Sequence, residues 1–177
     1  LVPVLCEVDK GFNLDPDSLN RMTSPKTKAV FLVHLLGQPA KIEEIRRICE
    51  KNNLLLIEDC CESLGAVYQG KKVGNFGKIG SFSFYFGHHM TTIEGGMIVS
   101  NNKEYIERCR ALRAFGWIRE LSDRDDIAND YPHIDPRFLF LHAGYNFRPT
   151  EIQAAFGIHQ LPRLEGFIKI RRDNAEF

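Results

Sequence analysis

A few side chains along this chain carry reactive chemistry at informative positions. Glu58 and Asp59 end an apolar run at residues 54–58, which puts a carboxylate at the carboxyl end of a sheet strand, the edge where open α/β sheets bind ligands. Read alone, Asp59 is more simply a helix cap or salt-bridge partner. Ser83 offers a hydroxyl donor that suits a phosphate oxygen or fills a small site in a strand. His88 and His89 stand side by side; imidazoles titrate near neutrality and can take a proton and return it within one turnover, although a His pair in a loop is often plain polar surface. Arg119 supplies a guanidinium fit for a diphosphate oxygen or a sugar hydroxyl, or simply for solvent. Asn146 lies in a turn before a helix that Thr150 caps.

The elements that must position these groups alternate. Residues 27–36 form a nearly all-apolar run bounded by Gly37 and Pro39, which predicts a parallel strand buried on both faces. A helix over about residues 40–52 follows, with Ile42, Ile45, Ile48 and Cys49 on one face and Lys41, Glu44, Arg47 and Lys51 outward. Then come the strand ending in Glu58, a hairpin at residues 66–73 around Gln69 and Gly70, and strands at residues 79–86 and 95–100. A helix is expected over residues 103–115, a long surface excursion over 122–135, and two helices around Pro162. Ahead of all this, residues 2–8 read as a strand and residues 13–22 as a cap and short helix. The pattern belongs to an α/β fold with a mostly parallel sheet covered by helices, and no internal domain boundary is drawn.

Composition narrows the functions. The chain has 177 residues, 44% hydrophobic and 26% charged, an ordinary globular balance. Lys plus Arg and Asp plus Glu both number 23, so no global positive field draws in nucleic acid. No apolar stretch approaches the roughly 20 residues of a membrane span. Five cysteines without a Cys-x-x-Cys pair point to a reducing, cytoplasmic setting rather than a disulfide scaffold. No metal ligand set is expected: His34, His133, His142 and His159 lack ligand spacing and read as structural or surface, and the vicinal Cys60 and Cys61 lack cluster spacing. A first residue other than Met and a last stretch that stops inside a helical pattern suggest a piece of a longer protein.

Three segments together carry a resemblance: residues 57–66 (IEDCCESLGA), 80–96 (GSFSFYFGHHMTTIEGG) and 142–155 (HAGYNFRPTEIQAA). In this order and at these separations they resemble the DegT/DnrJ/EryC1/StrS family of nucleotide-sugar aminotransferases and dehydratases, built on the aspartate aminotransferase (type I) fold with pyridoxal phosphate as cofactor. The resemblance implies that residues 1–177 are part of the cofactor-binding large domain, with an amino-terminal part and a small carboxyl-terminal domain outside them. It implies that Asp59 pairs with the pyridine nitrogen, that Ser83 holds the phosphate, and that Asn146 reaches the phosphate from the neighbouring subunit of a homodimer. Glu62 stands where the family usually has Gln or His near the phenolic oxygen, and Arg119 where dehydratase-like members contact substrate. Phe115 replaces a common family His.

His88 is the most informative position. Most members carry there the Lys that forms a Schiff base with the cofactor, and an imidazole cannot make that imine. The pair His88–His89 before residues 90–96 looks like the branch that removes the 3-hydroxyl of a nucleotide-linked 4-keto-6-deoxy sugar. The implied reaction uses glutamate as amino donor to give pyridoxamine phosphate, with His88 taking a proton and protonating the departing oxygen. His89 is assigned to support. Two alternatives stay open: an aminotransferase or reductase-partnered dehydrase of the same family, and a non-catalytic homologue.

Overall fold

The computed structural model describes residues 1–176. In chain order the elements are α1 (Pro16–Met22), β1 (Ala29–Val33), α2 (Ile42–Lys51), β2 (Leu55–Asp59), β3 (Val67–Tyr68), β4 (Lys71–Lys72), β5 (Ile79–Ser83), β6 (Gly96–Val99), α3 (Lys103–Arg113), α4 (Arg124–Asp130), α5 (Glu151–Gln160) and α6 (Leu164–Glu176). They divide into two compact units, residues 100–150 and the remainder, a boundary that the sequence pattern does not announce.

In the first unit the main sheet runs β1-β2-β5-β6. β1 and β2 pair in parallel from Ala29 opposite Leu55 to Val33 opposite Asp59, and β2 pairs in parallel with β5, whereas β6 returns antiparallel. α1 starts where it does because Asp15 accepts from Ser18 N–H at 3.1 Å and Pro16 sits in the first turn, where a missing N–H costs nothing. α2 buries Ile42, Ile45 and Cys49 in one core with Val30, Leu32 and Leu56 from alternate strand positions. The expected hairpin is β3–β4; Gln69 and Gly70 both take positive φ, as a tight turn matched to strand twist demands.

Three expectations are corrected. Within the described residues β1 is covered on one face only: Phe31 and Val33 alternate with the buried positions and are 60% and 40% exposed, because α1 and α2 pack their apolar residues against the Val30 and Leu32 side. Residues 2–8 form no strand; an isolated antiparallel bridge joins Val8 to Leu14, and Leu1, Val2 and Leu5 are exposed. The excursion at residues 122–135 contains α4, whose acidic first turn, Asp125 and Asp126, suits the positive end of a helix and which stops just before Pro132.

The second unit packs Ala111, Ile118, Leu121 and Leu139 into a small core of its own. Gly116 has φ of 85°, and any Cβ there would overlap the carbonyl of His142, so only glycine allows that crossing.

Candidate active site

Because β1, β2 and β5 are parallel, their carboxyl ends lie on one edge of the sheet, and those ends carry His34, Asp59 and Ser83. The ladder continues just past the strands: His34 N–H donates to Asp59 O at 3.0 Å and Cys60 N–H to Ser81 O at 2.8 Å. Asp59 Oδ1 accepts from Cys61 N–H at 3.0 Å, which orients the carboxylate at the edge. The Cys61 thiol is pushed up to about 12, by burial first and then by Asp59, and so remains a protonated, unreactive neighbour. Ser83 Oγ accepts from Tyr85 N–H at 3.2 Å, leaving its own proton to be given outward.

Glu62 is held differently. Its Oε2 accepts from Leu36 N–H at 2.8 Å, and Leu36 adopts a left-handed φ of 53°, a conformation few non-glycine residues hold without support. The carboxylate therefore fastens the turn after β1 to the segment after β2.

His88 sits half-buried in the connection between β5 and β6, its N–H donating to Tyr85 O at 3.0 Å and its ring 6.0 Å from that of Tyr85 in an edge-on contact. The connection is pinned by α5. Thr91 N–H donates to Gln160 Oε1 at 2.9 Å and Gln160 Nε2 donates back to Thr91 O at 2.8 Å, while Met90 and Thr92 are buried. Burial, then Arg171 and His88, depress the His89 pKa, which keeps that ring neutral beside its neighbour.

Asp59, Glu62, Ser83 and His88 thus all belong to the first unit. Arg119 and Asn146 belong to the second, and both are exposed there. The Arg119 guanidinium lies 5.2 Å from the Trp117 ring centre in a cation–π contact, at a groove of about 550 Å³ that also takes in Arg137 and Phe138. Asn146 forms an antiparallel bridge with Ala114.

Two residues at the edge escape the sequence reading as site residues, Glu58 and His34. Both are fully buried, at 0% exposure, and their side chains meet at 3.2 Å. A signal exists: positions 30, 32 and 34 and positions 56, 58 and 60 continue the core-facing period of their strands, so a polar residue there must find partners inside. With Cys60 they bring three ligand-type atoms within 4.8 Å of one another, a grouping that the sequence spacing does not announce. Their electrons are already committed. Glu58 Oε1 accepts from Phe76 and Gly77 N–H, each at 2.6 Å, and Oε2 from Gly74 N–H at 2.7 Å and from His34. His34 Nδ1 accepts from Ala40 N–H at 3.2 Å, which leaves the proton on Nε2, facing Glu58. Burial raises the Glu58 pKa, but these hydrogen bonds outweigh it and hold it below the ordinary carboxylate value.

Among the described residues no helix is long and apolar enough to cross a membrane. The profile of the DegT/DnrJ/EryC1/StrS aminotransferase family matches residues 1–177. A GDP-4-keto-6-deoxy-D-mannose 3-dehydratase of Escherichia coli O55:H7 is 40% identical over 167 residues, covering 93% of this chain and 43% of that protein. A GDP-perosamine synthase of Vibrio cholerae is 36% identical over 176 residues, covering 99% and 44%. Among solved structures, an E. coli GDP-4-keto-6-deoxy-D-mannose-3-dehydratase with bound hydrated pyridoxal phosphate superposes with a TM-score of 0.86 at 39% identity, over 96% of this chain and 45% of that one. The chain therefore spans under half the length of these relatives. A match to the family over all 177 residues, joined to this parallel-sheet edge, makes the chain a member of the DegT/DnrJ/EryC1/StrS aminotransferase family, on the type I pyridoxal-phosphate fold.

Proposed function

We propose that the protein to which this chain belongs removes the 3-hydroxyl from a nucleotide-linked 4-keto-6-deoxyhexose, with pyridoxal phosphate as cofactor and glutamate as amino donor, in deoxysugar and O-antigen synthesis. The observation that carries this reading is His88 within residues 80–96, which by the resemblance of that segment stands where most family members have the Schiff-base Lys.

The donor set fits the cofactor. Asp59 is oriented at the strand end by Cys61 N–H, and Ser83 accepts from Tyr85 N–H, so that its proton is directed outward. When bound, pyridoxal phosphate supplies a protonated pyridine ring that draws electron density from the carbon losing a proton. Asp59 holds the proton on the ring nitrogen through a charge-assisted hydrogen bond. Ser83 donates to the phosphate, Asn146 reaches it from the neighbouring subunit of a homodimer, and Glu62 borders the phenolic side while gripping the Leu36 turn. Arg119 binds the diphosphate or the sugar, with Trp117 beneath its guanidinium.

His88 takes the proton and delivers one to the departing hydroxyl. An imidazole forms no covalent tether, so the cofactor is held by non-covalent contacts, these among them, and the product is not recaptured for amino transfer. The balanced net charge fits a small-molecule role rather than nucleic acid, and five cysteines, all free, fit a reducing, cytoplasmic setting. The aminotransferase reading has one observation in its favour, the comparable identity to a perosamine synthase.

Product mass separates the two. The full-length protein, given cofactor, glutamate and a 4-keto-6-deoxy nucleotide sugar, is expected to yield a product one oxygen lighter, and His88→Lys to yield an amino sugar instead. Unchanged deoxygenation by His88→Lys, or an amine from the natural protein, overturns the reading.

A further inference from the structure

Glu58 and Asp59 are neighbours on β2, and the strand's period of two sends them to opposite faces, Glu58 into the core and Asp59 half-buried at the edge. We infer that the buried pair His34–Glu58 is a positioning device, which sets the direction in which Asp59 presents its carboxylate to a cofactor ring nitrogen. The inference rests on the cofactor reading of Asp59 proposed above.

The geometry ties three connections into one knot. Glu58 receives four hydrogen bonds, about the full acceptor capacity of a carboxylate. Three come from the segment that leads into β5, from Gly74, Phe76 and Gly77, and the fourth from His34, just after β1. His34 in turn accepts from Ala40 N–H on the approach to α2 and donates its own N–H to Asp59 O at 3.0 Å. One residue therefore grips the side chain of Glu58 and the backbone of Asp59 together. The packing leaves no slack for another arrangement: a Cβ on Gly77 would lie 2.5 Å from Leu56 O, and one on Gly80 would lie 2.5 Å from Gly74 O.

A metal ion does not explain the cluster, because every Glu58 acceptor is occupied and His34 Nε2 carries its proton toward the carboxylate. Of the titratable groups nearby, Cys60 is driven up to about 12 by burial and then by Glu58, so its thiol stays neutral. The pair thus keeps a fixed charge where a mere spacer would keep none, and it does so next to the carboxylate assigned to the cofactor ring nitrogen.

The test uses the full-length protein saturated with pyridoxal phosphate isotopically labelled at the ring nitrogen. Magnetic resonance then follows that nitrogen's protonation with pH in the natural protein, Glu58→Gln, His34→Leu and the control Asp59→Asn. Both Glu58→Gln and His34→Leu are expected to make the ring nitrogen about tenfold or more easier to deprotonate, a shift of about one pKa unit. A ring-nitrogen titration unchanged in these variants but shifted in Asp59→Asn overturns the inference, whatever happens to their melting temperature. A titration unchanged in Asp59→Asn overturns instead the cofactor role of Asp59. Should Glu58→Gln not fold, His34→Leu, which keeps the three backbone donors, decides; failure of both to fold reduces the pair to scaffolding and also overturns the inference.

Discussion

The carboxyl edge of the sheet and the exposed residues of the second unit solve different problems. At the edge, Asp59, Glu62 and Ser83 each accept a hydrogen bond from backbone N–H within this chain, so their carboxylates and hydroxyl are oriented before any ligand arrives. Arg119 rests its guanidinium against the Trp117 ring, and both Arg119 and Asn146 are exposed. The groups assigned to the cofactor from within the first unit are held by the backbone, whereas Arg119, assigned to a variable sugar, and Asn146, assigned to the phosphate across a subunit boundary, are left exposed. Pre-organisation lowers the ordering cost of binding, and adaptability lets one scaffold accept different ligands.

The contrast is sharpest at Asp59. Asp59→Ala in the full-length protein is expected to weaken pyridoxal phosphate binding by about a hundredfold, since a charge-assisted hydrogen bond is lost from an oriented partner, as a cofactor titration by absorbance would record. Next comes packing behind the edge. Gly77→Ala is expected to cost about 2 kcal/mol or more in denaturant unfolding, because the clash is with the Leu56 carbonyl and backbone cannot swing aside. Gly70→Ala, in the open hairpin turn, meets no atom within 4 Å and is expected to cost about 1 kcal/mol, from its φ of 80° alone.

A smaller effect lies in acid. The folded pKa of Glu58 is depressed, so its contribution is fully present above the unfolded value and is lost as pH falls through the folded one. Unfolding free energy measured against pH is expected to decline below about 4.5, and Glu58→Gln to flatten that decline. Smallest in stability is Arg119→Ala, expected to change unfolding by no more than about 0.5 kcal/mol while raising KM for the nucleotide sugar about tenfold with kcat little changed. An Arg119→Ala variant as damaged in cofactor binding as Asp59→Ala would erase the contrast between the two regions.

Much of the scaffold was legible from periodicity. The apolar runs at residues 27–36 and 54–58, the spacing of Ile42, Ile45 and Cys49, and the Gln69–Gly70 turn are local signals, and β1, β2, α2 and the hairpin follow them. Residues 2–8 failed because alternation alone supplies no pairing strand, and α4 was missed because a polar helix carries no apolar stripe. Asp59, Ser83 and His88 stood out through short motifs and hydroxyl, carboxylate and imidazole chemistry.

What the sequence by itself determined, then, is the order of most strands and helices along the chain, and with it that Asp59 and Ser83 close their strands, because chain-local periodicity sets both. Tertiary structure alone decided which face of β1 is covered and what holds that edge. Glu58 finds His34 across 24 positions and Gly74, Phe76 and Gly77 across 16 to 19, and Glu62 finds Leu36 across 26. A buried carboxylate must collect its donors from wherever parallel strands bring their ends together, and strand ends meet in space through crossover connections that no local spacing records.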